Sequence, residues 1–109
     1  MKHVLLTAIA AFLLAAQIKA AEWQLVWSDE FNSSKLDYSK WNVSEDAFGG
    51  GNQELQLYTD RLKNVRVENG KLIIEAHRDN PNIQGTQRQF SSGKIRTKHR
   101  GDWTYAKIE

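Results

Sequence analysis

Residues 64–76 read NVRVENGKLIIEA, and this stretch decides the fold class. Val65 and Val67 alternate with Arg66 and Glu68, and Leu72, Ile74 and Ala76 follow at the same period of two. Such alternation puts apolar side chains on one face of an extended segment. Between the two runs stands Asn69-Gly70. Both central residues of a tight hairpin turn need positive φ, and Asn and Gly adopt it most readily. The stretch therefore predicts a two-residue β-hairpin.

Working outward, residues 49–60 read GGGNQELQLYTD. The glycine run permits a sharp bend. Continued extension would set Asn52, Glu54, Gln56 and Tyr58 on one face and Gln53, Leu55 and Leu57 on the other. Amides, a carboxylate and a phenol in one row suit a cleft that binds sugar hydroxyls. Glu22–Trp27 alternates Trp23, Leu25 and Trp27, which predicts another strand. Residues 28–34 read as a polar turn, and Leu36, Tyr38 and Trp41 punctuate a segment too irregular for a helix. Residues 78–89, with the single proline Pro81, read as a loop. Strands are expected again at Phe90–Lys98 and at Trp103–Glu109. The chain is thus expected to be all-β, of the sandwich or barrel kind, and such folds commonly run to about 200–250 residues.

Residues 1–20 have the layout of a secretory signal peptide: Lys2 near the start, an apolar run over Val4–Ala16, and Ile18-Lys19-Ala20 before a cleavage point. The run is shorter than the roughly 17–25 residues of a bilayer-spanning helix. The expected organisation is a signal peptide over 1–20 and one domain portion over 21–109, secreted or periplasmic and off the membrane once cleaved. Without Lys2 and Lys19 the remainder has 13 basic and 13 acidic residues, so the basic balance of the whole chain does not argue for nucleic acid. Arg96, Lys98 and Arg100 with nearby aromatic residues read as a solvated strand face. There is no cysteine, so no disulfide supplements a small exported core.

Six blocks in order carry a resemblance: VWSDEFN (26–32), KWN (40–42), GGGNQELQLYTDR (49–61), NVRVENGKLIIEA (64–76), SSGKIRTK (91–98) and YAKIE (105–109). Together they resemble glycoside hydrolase family 16, the endo-β-1,3- and β-1,3-1,4-glucanases. The resemblance implies a β-jelly-roll (concanavalin A-like) sandwich, here incomplete, with a β-glucan as partner and a monomeric full-length form. It also implies retaining hydrolysis by two glutamates in a Glu-x-Asp-x-Glu or Glu-x-Asp-x-x-Glu strand, a mechanism that places the two carboxyl groups about 5–5.5 Å apart. Residues 1–109 contain no such motif, so no catalytic residue is assigned. The chain is expected to be an N-terminal fragment, inactive alone, with a non-catalytic β-glucan-binding module or a non-functional truncation product as alternatives.

By the same resemblance Asn52 would touch the sugar, and Lys94 would stand where relatives carry a substrate-contacting arginine. Lysine there keeps the charge and loses the planar fork. No cofactor is required, and the family's structural calcium would use backbone carbonyls near Glu30 and Gly70. Trp23, Trp27 and Trp41 are expected in the core, with Trp103 more exposed.

Overall fold

The structure, a computed structural model, describes residues 22–109. The expected signal peptide therefore lies outside the described residues, except that the adjoining segment begins at Glu22. Within them the architecture is β throughout, with eight short strands and no α-helix. They are β1 (Asn42–Val43), β2 (Gln56–Tyr58), β3 (Val65–Glu68), β4 (Lys71–Ile74), β5 (Asn82–Ile83), β6 (Thr86–Gln87), β7 (Phe90–Ser92) and β8 (Ile95–Arg96).

The expected hairpin forms. β3 and β4 pair antiparallel with Val65 opposite Ile74 and Glu68 opposite Lys71. Asn69 (φ 53°) and Gly70 (φ 73°) make the turn between them. Arg66 bridges Glu68 and Glu75, each at 2.8 Å, along the exposed side of the hairpin.

Pairings distant in sequence assemble the rest. β1 runs antiparallel to β8, continued by the Ser44 amide donating to the Lys94 carbonyl at 2.8 Å. β2 and β7 pair in parallel, Gln56 opposite Phe90 and Tyr58 opposite Ser92. An antiparallel bridge between His77 and Ser91 joins β7 to the chain leaving the hairpin, with both backbone bonds at 2.9 Å. One residue apart along β2 and β7, side chains alternate between two environments. Gln56, Tyr58, Phe90 and Ser92 share one face; Leu57 and Ser91 share the other and are buried.

The buried side is unusual in composition. Its large apolar members are Leu36, Leu57 and Val65, whereas Thr59, Asn64 and Ser91 are fully buried polar residues. Asn64 is the hub. Its Nδ2 donates to Ser91 Oγ at 2.9 Å and to the Glu75 carbonyl at 3.0 Å. Its Oδ1 accepts from the Thr59 hydroxyl and from Arg61 Nη2, the latter at 3.2 Å. Burying these groups is tolerable because each finds a partner. Gly93 packs against this hub: a Cβ there would overlap Val65 Cγ2 and lie 2.7 Å from the Asn64 carbonyl.

An aromatic cluster forms a second centre. Trp27 meets Trp41 and Trp103 edge-on at 5.1 and 5.7 Å, and Phe31 stacks on Trp41 at 6.1 Å. Asp29 ties it down, accepting from Trp41 Nε1 at 2.7 Å and from the Phe31 amide at 2.8 Å. Trp27 and Trp41 are thus packed as expected, and Trp103 is partly exposed at one edge of the cluster.

Four expectations need correction. Glu22–Trp27 is not a strand, and Trp23 is 72% exposed rather than core. Trp103–Glu109 is not a strand either. Both segments have the alternation of a strand but no ladder partner among the described residues, and alternation alone satisfies no backbone hydrogen bond. Residues 78–89 are not a plain loop: β5 and β6 pair around Gln84 and Gly85, at φ 52° and 82°. Phe90–Lys98 is interrupted at Gly93-Lys94, so β7 and β8 turn to different partners.

Candidate functional site

The 49–60 block folds in two parts. Gly49, Gly50 and Gly51 all have positive φ and form a tight turn kinked at Gly50, whose φ 57° and ψ 14° are not helical. The Gly49 carbonyl accepts from the Asn52 amide at 2.8 Å and from the Glu54 amide at 3.2 Å, closing the turn. Gln53 follows at φ 57°, so regular extension begins only at Gln56. The expected row of alternating polar residues is accordingly shorter than the sequence suggests. Asn52 belongs to the turn and is exposed.

Over the β2–β7 pair lies an open groove of about 430 Å³. Gln56 and Tyr58 line it from β2, with Glu54 and Leu55 just before that strand, and Phe90, Ser91 and Ser92 line it from β7, with Ala76 beside them. Gln56 Nε2 donates to Glu54 Oε2 at 2.6 Å, which fixes the amide and leaves its carbonyl oxygen free to accept. Lys94 Nζ sits 5.6 Å from the centre of the Tyr58 ring, a cation–π arrangement that holds the phenol from above. On the far side Arg78 approaches the Phe90 ring at 5.7 Å. The groove thus offers a carboxylate, an amide, two hydroxyls and two aromatic rings. Hydroxyl-rich rings with apolar C–H faces are the ligands such a lining can bind.

Of the two residues singled out from sequence, Lys94 reaches this groove through Tyr58, and Asn52 stands on the glycine turn that leads into it. Glu54 and Gln56 line the groove directly. Phe90 and Ser92 were not foreseen as groove residues, since only the parallel pairing with β2 brings them there.

The described carboxylates divide in character. Asp79 accepts from Lys63 at 2.7 Å and from Arg61 at 3.0 Å. These cations and the neighbouring Ser91 hydroxyl hold its pKa at about 2 against the ordinary 3.8, led by the bond from Lys63. Glu75 is likewise lowered, chiefly by Arg66. Glu45 moves the other way, because the Asp60 carboxyl hydrogen-bonds to it and repels its charge. Asp46, next to Glu45, accepts the Tyr58 amide through its backbone carbonyl at 2.8 Å. Among the described residues no group of three or more His, Asp or Glu side chains could hold a metal ion.

The described residues thus form an all-β architecture with a polar groove lined by aromatic rings, and comparison with known proteins makes the assignment more specific. No protein-family model matches the chain. It is 47% identical over 93 residues to a β-glucanase of Rhodothermus marinus, covering 84% of this chain and 31% of that one. It is 40% identical over 100 residues to glucan endo-1,3-β-glucosidase A1 of Niallia circulans, covering 82% and 15%. Its structure matches a non-specific endo-β-1,3(4)-glucanase of family 16, co-crystallised with 1,3-β-D-cellotriosyl-glucose, with a TM-score of 0.71 and 38% identity. That match covers 79% of this chain and 36% of the other. Over most of its length the chain is thus similar to endo-β-glucanases whose solved structures fall in glycoside hydrolase family 16, and it matches part of their β-jelly-roll. It spans less than about two fifths of the length of each of these proteins.

Proposed function

We propose that residues 21–109 supply part of the substrate-recognition surface of an exported, retaining endo-β-glucanase acting on β-1,3 or mixed β-1,3-1,4 linkages. The observation that carries this reading is the 47% identity to a β-glucanase over most of the chain, including the strands that frame the groove. In it, Glu54 and Gln56 hydrogen-bond glucose hydroxyls, while Tyr58 and Phe90 present ring faces to the sugar. Lys94 orients Tyr58 and adds a donor, and Asn52 extends the recognition edge from the glycine turn. The chemistry requires no cofactor, and a calcium near Glu30 and Gly70 would be structural.

Bond cleavage itself needs a carboxyl pair about 5–5.5 Å apart. No Glu-x-Asp-x-x-Glu strand occurs in these residues, so the chain alone is expected to bind without cleaving. Affinity electrophoresis in gels containing laminarin, lichenan or a galactan tests the reading. Retardation by the β-glucans and not by the galactan is expected, reduced by about three- to tenfold in Lys94→Ala, the loss of one cation–π contact and donor. Equal mobility in all three gels would refute it. Release of reducing sugar from laminarin by the purified chain would refute the division between recognition and cleavage.

A further inference from the structure

The groove over β2 and β7 continues past Phe90. A second open hollow of about 740 Å³ adjoins it and shares Leu55 and Phe90 as walls. Its remaining lining is Asn80, Gln87, Arg88 and Gln89. The β5–β6 hairpin holds these residues in place. The Asn80 amide donates to the Gln89 carbonyl at 3.0 Å and the Arg88 amide to the Pro81 carbonyl at 3.1 Å, which extends the pairing beyond the strands proper. Asn80, Arg88 and Gln89 thus stand at the foot of the hairpin, where the chain enters β7.

The two hollows differ in charge. Glu54 lines the first, whereas the second has no acidic residue in its lining and one arginine, Arg88. Arg88 Nη1 donates to the Gln87 carbonyl at 2.7 Å, its one side-chain bond among the described residues. Arg78 brings a second guanidinium to the shared wall, 5.7 Å from the centre of the Phe90 ring. Neither arginine forms an ion pair with a carboxylate among the described residues. Asp79, between Arg78 and Asn80 in sequence, is committed elsewhere: it accepts from Lys63 at 2.7 Å and from Arg61 at 3.0 Å.

Neutral hydroxyls do not call for two uncompensated guanidinium groups. A guanidinium presents a fixed fork of donors that matches the paired oxygens of an oxyanion, and it keeps its charge at any working pH. The side-chain amides of Asn80, Gln87 and Gln89 supply further donors around it. Resting on the reading of the first groove as a β-glucan site, we infer that the second hollow is a subsite for an anionic substituent, a carboxylate or a sulfate ester, on a sugar chain lying in the first. The sugar packs across Leu55 and Phe90, Arg88 takes the oxygens of the anion, and Arg78 adds positive potential from the Phe90 side.

Titration calorimetry on the full chain tests this with laminarihexaose and two derivatives of it, one oxidised at its primary hydroxyls to carboxylates and one carrying sulfate esters. At low salt at least one derivative should bind about three- to tenfold more tightly than the neutral sugar, and the derivative that gains identifies the group. The gain should shrink as salt is added. Arg88→Gln should bring the ratio of charged to neutral affinity close to one. Lys71→Gln, which removes the same charge from the exposed turn of the β3–β4 hairpin, should leave that ratio unchanged. No gain for either derivative, or a gain reduced equally by the two substitutions, overturns the inference, and the β-glucan reading stands if the neutral sugar still binds. An Arg88-dependent gain with no measurable binding of the neutral sugar upholds the subsite and counts against recognition of plain β-glucan.

Discussion

Asn64 Nδ2 and Ser91 Oγ lie 2.9 Å apart with both side chains fully buried, and this bond joins the foot of the β3–β4 hairpin to the strand that floors the groove.

Replacing Asn64 by leucine leaves the buried Ser91 and Thr59 hydroxyls, and the part-buried Glu75 carbonyl, without their partner. Each orphaned neutral group costs about 1–3 kcal/mol. A loss of about 3–5 kcal/mol is therefore expected for Asn64→Leu, and less for Asn64→Ser, which keeps a hydroxyl. Urea denaturation followed by tryptophan fluorescence measures the difference. Equal midpoints for the wild type and Asn64→Leu would remove the hub from the account.

Two glycines separate steric from conformational demand. Gly93→Ala drives a methyl group into Val65 and the Asn64 carbonyl and should destabilise by about 2–4 kcal/mol, as overpacking of a tight contact does. Gly70→Ala meets no atom within 4 Å, but its φ is 73°, so about 1 kcal/mol is expected from backbone conformation alone. The ordering of the two thermal midpoints decides the point.

Asp79 makes stability depend on acid. Its folded pKa, about 2, lies below the ordinary 3.8, so its contribution is fully present above pH 4 and is lost as pH falls toward 2. Asp79→Asn should lower the melting temperature at pH 7 and leave it nearly unchanged at pH 2. A constant offset across that range would mean that the charge of Asp79 is immaterial.

Glu45 and Asp60 give the opposite sign. The folded pKa of Glu45 is raised by Asp60, so the folded form holds that proton more tightly and loses stability as pH rises past the carboxylate range. Asp60→Asn should therefore raise the melting temperature at pH 7 and have no such effect at pH 3. A drop at pH 7 would show that Asp60 is there for some other bond.

Legibility in the sequence followed the range of each interaction. The β3–β4 hairpin was readable because Asn69-Gly70 and the flanking valines, leucine and isoleucine encode it locally. The β5–β6 hairpin was missed because its turn begins with Gln84, a residue with no marked preference for φ 52°. The groove was half visible. Glu54, Gln56 and Tyr58 stand in one block, whereas Phe90 and Ser92 join them through parallel pairing that no local pattern announces. The strands expected at Glu22–Trp27 and Trp103–Glu109 show the converse error, a correct pattern without a partner. Lys94 was chosen by resemblance, and its seat over the Tyr58 ring is a contact that only the fold supplies.

The polar hub and the groove occupy opposite sides of the same two strands, one residue out of phase. A slip of a single residue in β2 or β7 would carry Tyr58 or Phe90 inward and push Leu57 or Ser91 out. Apolar packing resists such a slip weakly, because leucine, tyrosine and phenylalanine are all acceptable in a core. Asn64 does not accept the exchange: only a hydroxyl at position 91, at that depth, completes its set of bonds. The asparagine thus works as a registration key, and the groove-facing order of side chains is selected by a bond made on the buried side of the sheet.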